Sequence, residues 1–79
     1  MDNEATFQKF KACAVEILNV PSEKVTLEAN FAADLDADSL DLVELVMELE
    51  EVFSITVDES ELEGVETIAQ AYELVTSKL

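Results

Sequence analysis

The sequence contains no histidine, arginine or tryptophan, and it has one glycine, one proline and one cysteine. Because a catalytic thiol needs a base beside it, the absence of histidine leaves Cys13 without a residue to activate it. Zinc sites need histidine or several cysteines, and no glycine-rich phosphate-binding loop is present. We therefore expect a protein that is not an enzyme and that has no specific metal site.

The scarcity of glycine and proline favours a few long helices over many short strands. The 79 residues are enough for one small domain, so we expect a single domain over residues 1–79. No apolar run reaches the roughly 18 residues that a membrane span needs, and the acidic N-terminus does not resemble a secretory signal. The chain is expected to be complete, cytoplasmic and not inserted in a membrane.

Basic residues are also few, with four lysines against 19 acidic residues and a net charge of −15. Between positions 25 and 77 there are fifteen acidic residues and no basic one. Such a surface repels nucleic acid and attracts basic protein patches or divalent cations. The alternative is that the charge serves solubility alone.

Three segments have apolar residues at helical spacing, and residues 5–18, 39–53 and 68–77 are each predicted to form a long helix. Thr67 is a plausible N-cap for the last one. A short helical turn is expected just before Gly64. The predicted fold class is all-α, a small four-helix bundle of three long helices and one short one.

A long loop over residues 23–38 is expected between helices 1 and 2, and long loops in small domains are often functional. Apolar side chains are expected to anchor this loop to the core: Val25, Leu27, Phe31 and Leu35. Cys13, beside the apolar stripe of the first helix, is expected to be a small core residue. Residues 54–58 alternate like a strand but have no partner strand, so we expect an extended connector with Ile55 or Val57 turned inward.

The second helix has two contrasting faces on a helical wheel. The core face carries Leu42, Leu45, Val46, Leu49 and Phe53, and the opposite arc carries Asp41, Glu44, Glu48 and Glu51. Beside the acidic arc lie three more apolar residues, Leu40, Val43 and Met47. Either these three widen the core face, or they form an exposed docking surface for a basic partner.

A calcium-binding loop is an alternative interpretation of the segment around the start of this helix, because the acidic residues at 34, 36 and 38 match EF-hand positions 1, 3 and 5. Ser39, Asp41 and Leu45 then stand where that motif needs glycine, an apolar residue and glutamate. The match is therefore poor. From local pattern alone, Asp38 or Ser39 would be interpreted as an N-cap.

The same stretch of residues also matches a known sequence motif. The segment Asp34-Leu35-Asp36-Ala37-Asp38-Ser39-Leu40-Asp41-Leu42, continued by Val43-Glu44-Leu45-Val46-Met47-Glu48-Leu49-Glu50-Glu51, resembles the attachment motif and second helix of acyl carrier proteins. The late run Thr67-Ile68-Ala69-Gln70-Ala71 also fits, and the resemblance covers nearly the whole chain. It implies that Ser39, between Asp38 and Leu40, receives 4′-phosphopantetheine from coenzyme A.

The resemblance implies a free-standing, monomeric carrier of type II fatty-acid synthesis, which holds acyl intermediates as thioesters. Its implied partners are a phosphopantetheinyl transferase and fatty-acid synthase enzymes with basic docking patches. The matching acyl-pocket positions are Phe31, Leu42, Val43, Leu49, Val57, Leu62, Ile68 and Ala71. The matching partner-binding positions are Asp38, Leu40, Asp41, Glu44, Met47, Glu50 and Glu51.

Two positions depart from the family pattern. Many members have glycine where this chain has Asp36, and proline is common where it has Asp58, which is expected to loosen that connector. Other pathways that use the same arm (polyketide, lipid A or aminoacyl carriage) remain alternatives. An adaptor or calcium-binding protein without a prosthetic group is a further one.

Overall fold

The computed structural model describes residues 3–79, which form three α-helices: α1 (Asn3–Leu18), α2 (Ser39–Phe53) and α3 (Ile68–Ser77). Two short 3₁₀ helices, Ser22–Lys24 and Glu59–Leu62, lie in the connections. Across the described residues, the one β-type pairing is a single bridge between Asn30 and Thr67. The all-α prediction is confirmed, and the short fourth helix is a 3₁₀ helix.

The helix ends follow from local backbone chemistry. Asn19 and Ser54, which follow α1 and α2, adopt left-handed φ angles of 57° and 56°, which stop the helical ladder. The Thr67 hydroxyl accepts from the Gln70 N–H at 3.3 Å, while the Gln70 side chain accepts from the Thr67 N–H at 3.0 Å. This reciprocal capping box confirms Thr67 as the N-cap of α3.

The core lies between the three helices and is closed by aromatic packing. Phe10 of α1, Leu45 of α2 and Ile68 of α3 are each fully buried. The Tyr72 ring of α3 packs edge-on against Phe7 and Phe10, at centroid distances of 5.0 and 5.5 Å. Burial of these side chains is the main force that holds the helices together.

Cys13 is buried in this core, as expected. Burial raises the pKa of its thiol, and the carboxylates of Glu48 and Glu16 raise it further. The thiol therefore stays neutral, and a neutral buried thiol packs as a small apolar side chain.

The loop between α1 and α2 is anchored by three of the four predicted side chains. Val25, Phe31 and Leu35 are buried, but Leu27 is 48% exposed, so the prediction for Leu27 was wrong. A turn closed by the Ala29 N–H on the Thr26 carbonyl, at 3.0 Å, turns Ala29 inward in its place. Leu27 contributes only its carbonyl, which accepts from the Ala69 N–H at 3.0 Å.

The connector after α2 is extended and makes no strand, as predicted. Ile55 packs against the core. The Val57 N–H donates to the Glu50 carboxylate at 2.7 Å, which ties the connector to α2. Asp58 caps the 3₁₀ helix, with its carboxylate accepting from the Ser60 N–H at 3.1 Å. The expectation that Asp58 loosens the connector is therefore replaced by a specific capping role.

Candidate functional site

The N-terminus of α2 is built by Asp38, which is the N-cap residue. The Asp38 carboxylate accepts from the Asp41 N–H at 2.9 Å, and the Asp41 carboxylate accepts from the Asp38 N–H at 3.3 Å. Ser39 follows as the first residue of the helix and is exposed. The capping function thus belongs to Asp38 and Asp41, and the hydroxyl of Ser39 is not needed for it.

The loop that leads into this site is fixed by its own polar side chains. The Asn30 side-chain oxygen accepts from the N–H groups of Ala32 and Ala33, both at 3.0 Å. The Asp34 carboxylate accepts from the Asn30 N–H at 2.7 Å. Asp34 and Asp38, two of the three acids of the calcium-loop alternative, therefore each serve a backbone amide.

Asp36 occupies the left-handed region, with φ at 56°. This conformation is costly for most residues with a Cβ atom, but aspartate tolerates it better than most. The position that the family resemblance marks as a common glycine is therefore one where the backbone favours glycine. Asp36 lets the chain turn back so that Ala37, whose N–H donates to the Phe31 carbonyl at 2.8 Å, is buried beside the site.

Two clefts meet at Ser39, and both have Leu42 and Leu62 in their walls. The first cleft, of about 480 Å³, opens toward the loop before α2, and most of its lining is apolar. The second cleft, of about 560 Å³, opens toward the 3₁₀ helix and includes three carboxylates. The first is completed by Asn30, Phe31, Ala32, Ala37, Asp38, Val65 and Glu66, and the second by Val43, Asp58, Glu59, Ser60 and Glu63.

The eight predicted acyl-pocket residues occupy three kinds of position. Four of them line the clefts: Phe31, Leu42, Val43 and Leu62. Three others are buried in the packed core instead: Leu49, Ile68 and Ala71. Val57 is half-buried and lines neither cleft. Phe31, Leu49, Ile68 and Ala71 are buried and the other four are half-buried, so apolar character alone did not distinguish the wall of a cleft from a close-packed interior.

Sequence reasoning missed several residues of the clefts, among them Ala37, Val65 and Glu66. Val65 follows Gly64, whose φ is 87°, and its N–H donates to the Leu62 carbonyl at 3.1 Å. The carbonyl of Glu66 accepts from the Phe31 N–H at 2.9 Å. The Glu66–Phe31 contact joins segments distant in sequence, and Val65 is placed by a turn at Gly64, so helical periodicity carried no signal for these residues.

The predicted partner-binding residues are mostly exposed along α2. Leu40 and Met47 are 64% and 61% exposed, so these two do not widen the core face, whereas Val43 is half-buried. Glu44 and Glu51 are also exposed. The remaining exposed member of the predicted set is Asp38.

Glu50 and Asp41 are the two members of that predicted set that are only partly exposed. The half-buried Glu50 carboxylate accepts from the Val57 N–H, and the Asp41 carboxylate belongs to the capping box. Both carboxylates are therefore committed to intramolecular hydrogen bonds.

The arrangement at Ser39 fits a covalently attached phosphodiester. An exposed hydroxyl at the first residue of a helix lies near the positive end of the helix dipole, which favours an anion. The neighbouring carboxylates of Asp38 and Asp41 each accept a hydrogen bond from a backbone N–H, which offsets part of their negative charge. The two clefts give a chain attached at Ser39 two directions in which to lie.

Fold and site together define a small helical domain with an exposed serine at a helix start. Residues 8–75 match the family model described as "Phosphopantetheine attachment site". The chain is 43% identical over its full length to the acyl carrier protein of Petrotoga mobilis, covering 93% of that protein. It is 45% identical to that of Rubrobacter xylanophilus, covering 95% of this chain and 93% of the relative.

A solved structure agrees with these sequence relatives. The crystal structure of the acyl carrier protein of Thermotoga maritima superposes with a TM-score of 0.83 at 27% identity, covering 99% of this chain and 91% of that one. The chain therefore belongs to the acyl carrier protein family, and its prosthetic group is phosphopantetheine. None of the helices in residues 3–79 is long and apolar enough to cross a membrane.

Proposed function

We propose that this chain carries acyl intermediates of fatty-acid synthesis as thioesters on a phosphopantetheine arm attached to the hydroxyl of Ser39. The observation that carries this proposal is the position of Ser39, exposed at the start of α2 where the two clefts meet. When bound, phosphopantetheine supplies a terminal thiol that can hold an acyl group. The compartment, the monomeric state and the single-domain extent stay predictions.

In this proposal the chain positions its cargo and performs no catalysis. Ser39 has an ordinary hydroxyl, and the sequence contains no histidine, so we expect the base for its modification to come from the transferase. The start of α2 stabilises the phosphodiester charge. Leu42 and Leu62, which lie in the walls of both clefts, offer apolar surface to an acyl chain.

Partner enzymes are proposed to dock on the exposed face of α2. Leu40 and Met47 provide apolar contact area, and Glu44 and Glu51 provide the charge that attracts a basic patch. Exposed charges of this kind act mainly on the association rate and lose their effect at high salt.

Intact mass spectrometry tests the attachment site. The unmodified protein is incubated with coenzyme A and a broad-specificity phosphopantetheinyl transferase, and we expect a mass gain of one phosphopantetheine. The gain should be lost in Ser39→Ala and kept in Ser60→Ala, which removes another hydroxyl of the second cleft. Modification of Ser39→Ala, or no gain in the parent chain, would overturn the assignment.

Loading kinetics test the docking surface. The double reversal Glu44→Lys with Glu51→Lys should slow loading at low salt, because it replaces two carboxylates that face the basic partner. The control Glu23→Lys with Glu73→Lys makes the same change in net charge at exposed positions outside α2. Equal rates in the two double variants would exclude a docking role for this face of α2.

A further inference from the structure

Leu62 and Leu42 both form walls of the two clefts, but different contacts hold these two walls in place. Leu62 belongs to the 3₁₀ helix Glu59–Leu62, and this helix contributes no buried residue to the core. Leu42, the other shared wall residue, lies on α2, whose residues Leu45 and Leu49 are fully buried. The Leu62 wall therefore lacks the apolar anchoring that fixes α2, and polar contacts must supply its position.

One ion pair provides such a contact. The Lys78 ammonium, just after α3, lies 2.9 Å from both carboxylate oxygens of Glu61 on the 3₁₀ helix. Among the described side chains of residues 4–79 it is the one ion pair, in a chain with four lysines and 19 acidic residues. The same carboxylate accepts from the Asp58 N–H at 3.1 Å, so Glu61 links the start of the 3₁₀ helix to α3.

Glu61 lies in an acidic segment, so its pair with Lys78 reduces the repulsion between neighbouring carboxylates. Asp58, Glu59 and Glu63 place three further carboxylates within three residues of it in the chain, and no basic residue occurs between positions 25 and 77. The hydrogen bond from Lys78 holds the pKa of the Glu61 carboxyl below its ordinary value. Without the Lys78 ammonium the segment would repel itself with no nearby counter-charge in its own sequence.

We propose that the Lys78–Glu61 ion pair is a latch that holds the 3₁₀ helix, and with it Leu62, closed against Leu42. When the pair separates, the helix moves away from α2 and an acyl chain attached at Ser39 enters the widened space. The effect of the latch on acyl-chain entry rests on the proposed function, whereas the latch itself is a property of the unmodified chain. A partly exposed ion pair changes an opening equilibrium by only about two- to fivefold, which suits a contact that must open repeatedly.

Amide hydrogen exchange on the unmodified protein tests the latch directly. The N–H groups of Glu61, Glu63 and Val65 donate to carbonyls within or beside the 3₁₀ helix, so they report its opening. In Lys78→Gln their exchange should quicken about two- to fivefold. Lys9→Gln, which removes the same charge from an exposed position of α1, should leave these rates unchanged, and Lys78→Arg should restore them.

Equal exchange rates in Lys78→Gln and Lys9→Gln would overturn the latch. The amides of Leu45 and Leu49 serve as an internal reference, since a general loss of stability would quicken them as well. A uniform change across both sets of amides would mean that Lys78 stabilises the whole fold, which also overturns the proposal.

A second experiment tests the connection to cargo. The gain in free energy of unfolding from the bare arm to a decanoyl-loaded arm is measured for the parent chain and for Lys78→Gln. If cargo entry requires the ion pair to break, part of the stabilisation from cargo is spent on breaking it in the parent chain. Lys78→Gln has no pair to break, so cargo should raise its free energy of unfolding by more than that of the parent. Equal gains would overturn the role of the latch in cargo entry. Failure of Ser39 to load would instead overturn the proposed function, and the exchange experiment would still decide the latch.

Discussion

The core face of α2 and the 3₁₀ helix Glu59–Leu62 both lie next to Ser39, but they are held in place by different forces. Leu45 and Leu49 fix α2 through complete burial, whereas the 3₁₀ helix has no buried residue and depends on hydrogen bonds and one ion pair. Apolar burial stabilises more per residue than exposed polar contacts do. Ser39, the proposed attachment residue, is therefore on the firmly held element, and the more weakly held element forms the wall that we propose to open.

The largest expected effect is seen when one leucine from each region is replaced by alanine and the losses of stability are compared. Leu45→Ala should lower the free energy of unfolding by about 2–5 kcal/mol, because it leaves a cavity in the core. Leu62→Ala should cost about 1 kcal/mol or less, because that side chain is only half-buried. Urea unfolding followed by circular dichroism measures both. If the two substitutions cost the same, the distinction between the regions is wrong.

The next effect concerns the tie between the connector and α2. Glu50→Ala removes the acceptor of the part-buried Val57 N–H and should destabilise the protein by about 1–2 kcal/mol. Glu51→Ala, the adjacent exposed residue, makes the same change in charge and should have almost no effect on stability. Equal unfolding midpoints for these two variants would show that the Glu50 hydrogen bond does not stabilise the connector.

A smaller effect is expected in the loop before Ser39. Asp36→Gly should stabilise the protein by about 0.5 kcal/mol, since relief of the left-handed backbone outweighs the added freedom of the unfolded chain. Asp36→Asn is the control, because asparagine also tolerates this conformation and removes the same charge. If the asparagine variant is as stable as the glycine variant, the gain comes from charge and not from the backbone.

The smallest effect is a pH dependence that arises in the core. The pKa of Cys13 is raised in the folded state, so folding favours the neutral thiol. Its contribution to stability is complete below the ordinary thiol pKa and is lost as pH rises above it. The free energy of unfolding should therefore fall more steeply on the alkaline side in the parent chain than in Cys13→Ala. Parallel pH profiles would contradict this expectation.

The sequence predicted the elements that depend on local signals, including α2 and the short helical turn before Gly64. The bounds of α2 at residues 39 and 53 and the capping role of Thr67 agree with the structure, because both depend on local signals. The exposed Leu27 was mispredicted, since a turn closed further along the loop decides which side chain points inward.

Other features depend on contacts that no local pattern encodes. The hydrogen bond of Glu50 reaches Val57, which lies in the connector beyond the end of α2, where helical periodicity no longer applies. The ion pair between Lys78 and Glu61 spans seventeen positions. The left-handed backbone of Asp36 had a signal only in the family resemblance, where glycine is common at that position.

The most direct test of the account is where the cargo lies once it is attached to Ser39. Methyl NMR spectra of the decanoyl-loaded and bare-arm forms would be compared at Leu42 and Leu62, which face both clefts, and at Leu18 of α1 as a reference. We expect shifts and contacts to the acyl methylenes at Leu42 and Leu62, together with a higher free energy of unfolding for the decanoyl-loaded form. Unchanged leucine signals and equal stabilities of the two forms would contradict it.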